Sequence, residues 1–241
     1  MSITRLARRA AIALAALFVA GAATAQQYPT RPVRMIVAFP PGQATDIIAR
    51  LVAEELARAW GQQFVVENRA GGDSIPGTLA GRNAPADGYT LTLATSSSFA
   101  VNPALFAKLP YDPASDFVMV HGLFTVPWVI VAHPATPYNT LAEMIAAAKK
   151  APDALQWGYG ASSLQLGAEL FKLHTGAQIA GIPYKGSGPA TTDLIGGHVP
   201  LLLDTVAGTL AQIRAGKMKP LATLAAARVP LLPDVPTARE I

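Results

Sequence analysis

From Val33 onward, eight short β-rich runs alternate with stretches that repeat at helical spacing. The runs are Val33 to Phe39, Phe64 to Glu67, Tyr89 to Ala94, Trp128 to Ala132, Leu155 to Gly158, Ile179 to Pro183, Leu201 to Leu203 and Lys219 to Thr223. Several are continuously apolar rather than alternating, which suits strands buried on both faces by helices. The pattern predicts an α/β fold with mostly parallel sheets.

The intervening stretches carry helix marks. Between Thr45 and Trp60 the apolar positions Ile47, Ile48, Leu51, Val52, Leu56 and Trp60 form one stripe, with Asp46, Arg50, Glu54 and Arg58 opposite. Gly61, Gly176 and Gly216 read as helix stops. Thr140 and Glu143 make a capping box that opens a helix reaching about Lys150, with Leu141, Met144 and Ile145 inward. Pro189 suits the first turn of another. The stretch from Pro103 to Pro113 reads as loop, and His121 to Trp128 leads into a new strand, where a boundary between two lobes is placed; a single open sheet is the alternative.

Arg5, Arg8 and Arg9, the eleven apolar residues from Ala10 to Ala20, and Ala23-Thr24-Ala25 have the form of a cleavable secretory signal over residues 1–25. Eleven residues fall short of the roughly twenty a membrane span needs. The signal takes three of the nineteen basic residues, leaving sixteen against fifteen acidic ones, so the formal charge drops from +4 to +1. That removes the basic footprint a nucleic-acid partner would demand. There is no cysteine, which excludes disulfides, thiol catalysis and thiolate metal sites and is compatible with a bacterial periplasm.

In an open parallel sheet, ligands meet the loops that leave the carboxyl ends of the strands. Here those loops are Pro40-Pro41-Gly42-Gln43-Ala44-Thr45-Asp46, Thr95-Ser96-Ser97-Ser98, Gly158-Tyr159-Gly160-Ala161-Ser162-Ser163, Tyr184-Lys185-Gly186-Ser187-Gly188 and Asp204-Thr205. Glycines admit close backbone approach, hydroxyls donate and accept, and the first amides of a helix are free donors beside a partial positive charge. Together they hold an anion without arginine. Taken singly, Thr45, Ser162 and Ser187 read equally well as N-caps, and Asp46 as a partner for the helix dipole. The Gly71-Gly72-Asp73-Ser74 loop lacks the Gly-Lys-Ser/Thr ending of a phosphate-binding loop.

Hydrolysis has little support. Gly160-Ala161-Ser162-Ser163-Leu164 is no nucleophile elbow, and His121, His133, His174 and His198 have neither catalytic nor metal-ligand spacing.

Eight pieces in order carry a family resemblance: Arg31-Pro-Val-Arg-Met-Ile-Val37, Thr45-Asp46, Val65-Val-Glu-Asn-Arg69, Ala86-Asp-Gly-Tyr-Thr-Leu91, Asn102-Pro-Ala-Leu105, Leu109-Pro-Tyr-Asp-Pro113, Pro183-Tyr-Lys-Gly-Ser187 and Leu232-Pro-Asp-Val-Pro-Thr237. They resemble the Bug-type solute-binding receptors of tripartite tricarboxylate transporters. The resemblance implies a periplasmic, non-enzymatic binding protein of the two-lobed Venus-flytrap type, class II, needing no cofactor. The implied lobes are residues 26–124 and 125–225, with 226–241 turning back toward the first lobe, whose C-terminal part is missing here. The implied ligand is a di- or tricarboxylate, an acidic amino acid or an aromatic acid. The implied partner is the membrane part of a transporter, with a sensor kinase as the alternative and a monomeric state.

Carried over by position, the ligand contacts are Phe39, Gly42, Gln43, Asp46, Thr95, Ser96, Ser97, Gly160, Ala161, Ser162 and Ser163, with Tyr184, Lys185 and Asp204 nearby. Two substitutions depart from the family pattern: Gln43 stands where a longer glycine run is usual, and Gln165 where histidine is common.

Overall fold

A computed structural model describes residues 28–152 and 154–241. The signal-like segment lies outside those residues. All eight expected strands are present, in two sheets.

The first sheet has three parallel strands, β1 (Val33–Val37), β2 (Phe64–Asn68) and β3 (Thr90–Leu93), with β1 in the centre. Helix α1 (Ala44–Trp60) connects β1 to β2, and α2 (Ile75–Arg82) leads toward β3. Val33, Met35, Val37 and Phe39 join Ala49, Ala53, Phe64 and Leu93 in one buried cluster. Continuous apolar runs fill the middle of the sheet because a central parallel strand has no face to offer water.

The inward face of α1 departs from expectation. Ala49 and Ala53 are buried, with Val52, Leu56 and Ala57 packed beside them, while Ile47, Leu51 and Trp60 are exposed. Alanines let the helix sit close to the sheet, and the larger side chains, too bulky for that contact, fall to the flanks. Gly61 ends the helix in the left-handed conformation at φ 68°.

The chain then forms a one-turn helix, α3 (Asn102–Leu105), where a loop was expected, and runs extended to the second sheet. Val118, Met119 and Val120 on this run are strongly exposed.

The second sheet contains β4 (Trp128–Ala132), β5 (Gln156–Tyr159), β6 (Ala180–Pro183), β7 (Leu201–Thr205) and β8 (Lys219–Thr223), in the order β6-β5-β7-β4-β8. Strands β5, β6 and β7 are parallel, but β4 runs antiparallel to both β7 and β8. The sheets are therefore mostly parallel, with one reversed strand.

Helices α4 (Leu141–Lys150), α5 (Ser162–Thr175), α6 (Ser187–Ile195) and α7 (Val206–Arg214) cover the second sheet. One buried cluster is centred on Trp157, Met144 and Leu201, another on Val129, Val131, Leu194 and Leu202. Thr140 caps α4 by accepting from the Glu143 amide at 3.2 Å. Glu143 reaches back to the Asn139 amide at 2.7 Å, one residue earlier than the usual capping box.

Val229, Leu232 and Val235 join the second of these clusters, and Thr237 forms a parallel bridge with Thr223. As far as Ala238, the segment expected to turn toward the first lobe lies against the second sheet.

Candidate functional site

The loops at the carboxyl ends of both sheets meet. On the first side, Asp46 organises the turn after β1. Its Oδ2 accepts from the Gly42 amide at 2.8 Å and from Arg50 Nε at 3.0 Å, and its Oδ1 accepts from Asn68 Nδ2 at 2.8 Å. Asn68 also donates to the Phe39 carbonyl at 3.0 Å. Burial works to raise the Asp46 pKa, but the bonds from Arg50, Gly42 and Asn68 hold it below the usual carboxylate value. Asp46 thus braces the loop from within its own half, and Phe39 belongs to the core.

Across the junction, Ser97 Oγ donates to Ser163 Oγ at 2.9 Å and accepts from the Ser163 amide at 3.2 Å. Ser162 Oγ donates to Asn102 Oδ1 at 2.7 Å. The first turn of α5 is thereby tied to the turn of chain after β3. Ala161 touches the buried clusters of both halves.

Asn102 itself is held firmly. Its amide donates to the Asp73 carbonyl at 2.7 Å and to Tyr111 Oη at 3.3 Å, and Tyr111 donates to the Ser98 carbonyl at 2.7 Å. Asp73 and Ser74 adopt left-handed backbone angles, φ 52° and 68°, a costly arrangement for non-glycine residues. The Gly71-Gly72-Asp73-Ser74 loop therefore presents the carbonyl that anchors Asn102.

The remaining approach is through glycines. A Cβ on Gly160 would lie 2.3 Å from the Gly186 carbonyl carbon and 2.5 Å from the Ser187 nitrogen, so only glycine lets these two loops touch. A Cβ on Gly186 would lie 2.6 Å from Pro40 Cγ and 3.5 Å from Gln43 Oε1. The N-termini of α1, α5 and α6 accordingly meet at one place. Their first-turn amides lack intrahelical partners and carry the positive ends of three helix dipoles, which favours an anion there.

Of the residues singled out from sequence, Gly42, Gln43, Ser97, Gly160, Ala161, Ser162 and Ser163 lie at or beside the junction. Thr95 is half-buried and bonded to Ser98, whereas Ser96 and Lys185 are exposed. Tyr184 turns inward: its hydroxyl donates to Asp193 Oδ2 at 2.8 Å, and burial followed by that carboxylate pushes its pKa up to about 12. Asp204 lies behind the junction, accepting at Oδ1 from Ser187 Oγ at 2.8 Å and from the Thr205 amide at 2.7 Å. Neither Ser162 nor Ser187 is an N-cap; those positions are Ala161 and Gly186.

In the sequence, Asn102 stands out only through the Asn102-Pro-Ala-Leu105 motif. Its bond to Ser162 spans sixty residues and has no local signature.

A model of the tripartite tricarboxylate transporter family receptor matches residues 48–241. The chain belongs to that family. Among its curated relatives, protein BugT of Bordetella pertussis is 41% identical over 244 residues, spanning 100% of this chain and 75% of BugT. Among solved structures, a protein of R. palustris with adipate aligns with a TM-score of 0.84 at 38% identity. It covers 88% of this chain and 72% of that one. MatC from Rhodopseudomonas palustris with bound malate aligns with a TM-score of 0.81 at 31% identity, covering 88% of this chain and 73% of its own. As a family receptor, the chain is of the periplasmic solute-binding type, and this family is one of binding proteins rather than enzymes.

Proposed function

We propose that this chain captures a small carboxylate between two lobes, residues 26–124 and 125–225, and presents it to the membrane components of a tripartite tricarboxylate transporter. The observation that carries the reading is the Ser97–Ser163 pair. Hydroxyl and amide donors from opposite halves already converge on one point, and the Ser163 amide opens helix α5. A carboxylate oxygen at that place takes over the acceptor role of Ser97 and gains a charge-assisted bond. Adipate and malate in the similar R. palustris structures support the ligand class.

In this reading Gly42, Gln43, Ser97, Gly160, Ala161, Ser162 and Ser163 contact the ligand. Phe39, Asp46, Tyr184 and Asp204 brace the loops from behind, and Thr95, Ser96 and Lys185 form the rim. Four or five bonds to a charged group, each contributing about 1.5 to 3 kcal/mol, outweigh the cost of ordering two lobes and allow affinities of about micromolar.

Thermal unfolding with a panel of succinate, malate, glutarate, adipate, citrate, aspartate and benzoate tests the reading. At least one acid is expected to raise the melting temperature, because a ligand present at a hundred times its Kd stabilises the folded state by about 2.7 kcal/mol. A folded protein whose melting temperature responds to none of them refutes carboxylate capture.

A further inference from the structure

Gln43 carries a buried acceptor at the junction that is left without a donor, as Asp204 does at its Oδ2 behind it. Gln43 is only 7% exposed, yet its Oε1 has no hydrogen-bond donor among the described residues, and its side chain does not cap α1. The neighbouring groups are engaged: Ser97 with Ser163, Ser162 with Asn102, Ser187 with Asp204. Oε1 lies 3.5 Å from where a Cβ on Gly186 would stand, a position the Pro40 ring also approaches. A buried acceptor without a donor costs about as much as the hydrogen bond it forgoes. Such a group is retained where something else brings the donor.

We propose that Gln43 makes the site selective for carboxylates bearing a hydrogen-bond donor, a hydroxyl or an ammonium, close to the carboxylate. The donor meets Gln43 Oε1, while the carboxylate oxygens take the free first-turn amides at the same end of α1. A plain dicarboxylate of equal length leaves Oε1 unpaired in the closed form. A site with a polar group awaiting its partner discriminates more sharply than one that merely fits a shape, since the wrong ligand leaves that group desolvated and unmatched. The inference rests on the carboxylate-capture reading above.

Calorimetric titration of the full chain with matched acids tests it: succinate against malate, and glutarate against 2-hydroxyglutarate and 2-oxoglutarate. Each hydroxy acid is expected to bind about tenfold more tightly than its parent. The 2-oxo acid, which has no donor, is expected to bind no better than glutarate.

In Gln43→Met the hydroxyl preference disappears, each hydroxy acid binding no more tightly than its parent. In Gln43→Glu, which keeps an acceptor in place, the preference persists even as repulsion lowers affinity for all dianions. Parent and hydroxy acids binding equally, or a preference that survives in Gln43→Met, overturns the inference and leaves carboxylate capture standing. Tighter binding of the 2-oxo acid also overturns it, because the amide NH2 would then face the ligand. Binding of none of these acids, together with no response in the thermal panel, removes both readings.

Discussion

Asp204 is fully buried with no cation beside it among the described residues, and desolvation pushes its carboxyl up to about 6 despite the bonds from Thr205 and Ser187. A carboxyl whose folded pKa exceeds its unfolded one holds a proton in the native state that the unfolded chain has released. Its contribution is therefore most favourable below about pH 4 and is lost as pH rises to about 6, a span worth about 3 kcal/mol. Chemical denaturation between pH 4 and 7 should show this downward component, and Asp204→Asn should flatten it; an unchanged slope would remove Asp204 as its source. Asp46 behaves in the opposite sense. Its depressed pKa gives stability that is present at neutral pH and is lost only as pH falls through the folded value. Asp46→Ala strands the Gly42 amide and Asn68 and should cost about 2 to 3 kcal/mol in urea unfolding. Sequence placed both aspartates at strand ends, but only the partners around each distinguish a bracing role from ligand contact.

At the scale of elements, the helix ends at Thr140, Gly61 and Gly176 were legible because they depend on neighbours a few residues away, whereas the caps of α5 and α6 fell on Ala161 and Gly186 instead of Ser162 and Ser187. Thr140 accepts from Glu143 as its spacing required, and Gly61 and Gly176 take the left-handed angles that a helix stop calls for. Thr140→Ala should lower stability by about 1 kcal/mol in urea unfolding, with ligand affinity unchanged. The inward face of α1 was less legible. Hydrophobic periodicity finds the stripe but not which of its members the sheet can accommodate, and close packing chose Ala49 and Ala53 over Ile47 and Leu51. The contact of the Gly160 loop with the start of α6 depends on the absence of a side chain. Gly160→Ala should force these loops apart and weaken ligand binding at least tenfold, measured by calorimetry, because near-contact at 2.3 Å cannot be relieved by rotating a side chain.

For the molecule as a whole, two features emerge that no single element contains. One is the exposed run at Val118, Met119 and Val120, an extended apolar segment open to water. Such a segment promotes association between chains, so Val118→Lys with Val120→Lys should raise the concentration at which light scattering detects aggregates. The other is the junction itself, closed by bonds between residues 60 and 66 positions apart in the chain. The sequence by itself determined the α/β class, the eight strands, the polar character of the loops that follow them and the family, since these rest on local periodicity and on motifs in order. Tertiary structure alone decided the reversed direction of β4, the bond of Asn102 to Ser162, the inward turn of Tyr184 and the unpaired acceptor of Gln43. A hydroxyl or amide has the same chemistry wherever it sits. Whether its partner is a neighbouring loop or an arriving ligand depends on which distant groups folding brings within about 3 Å.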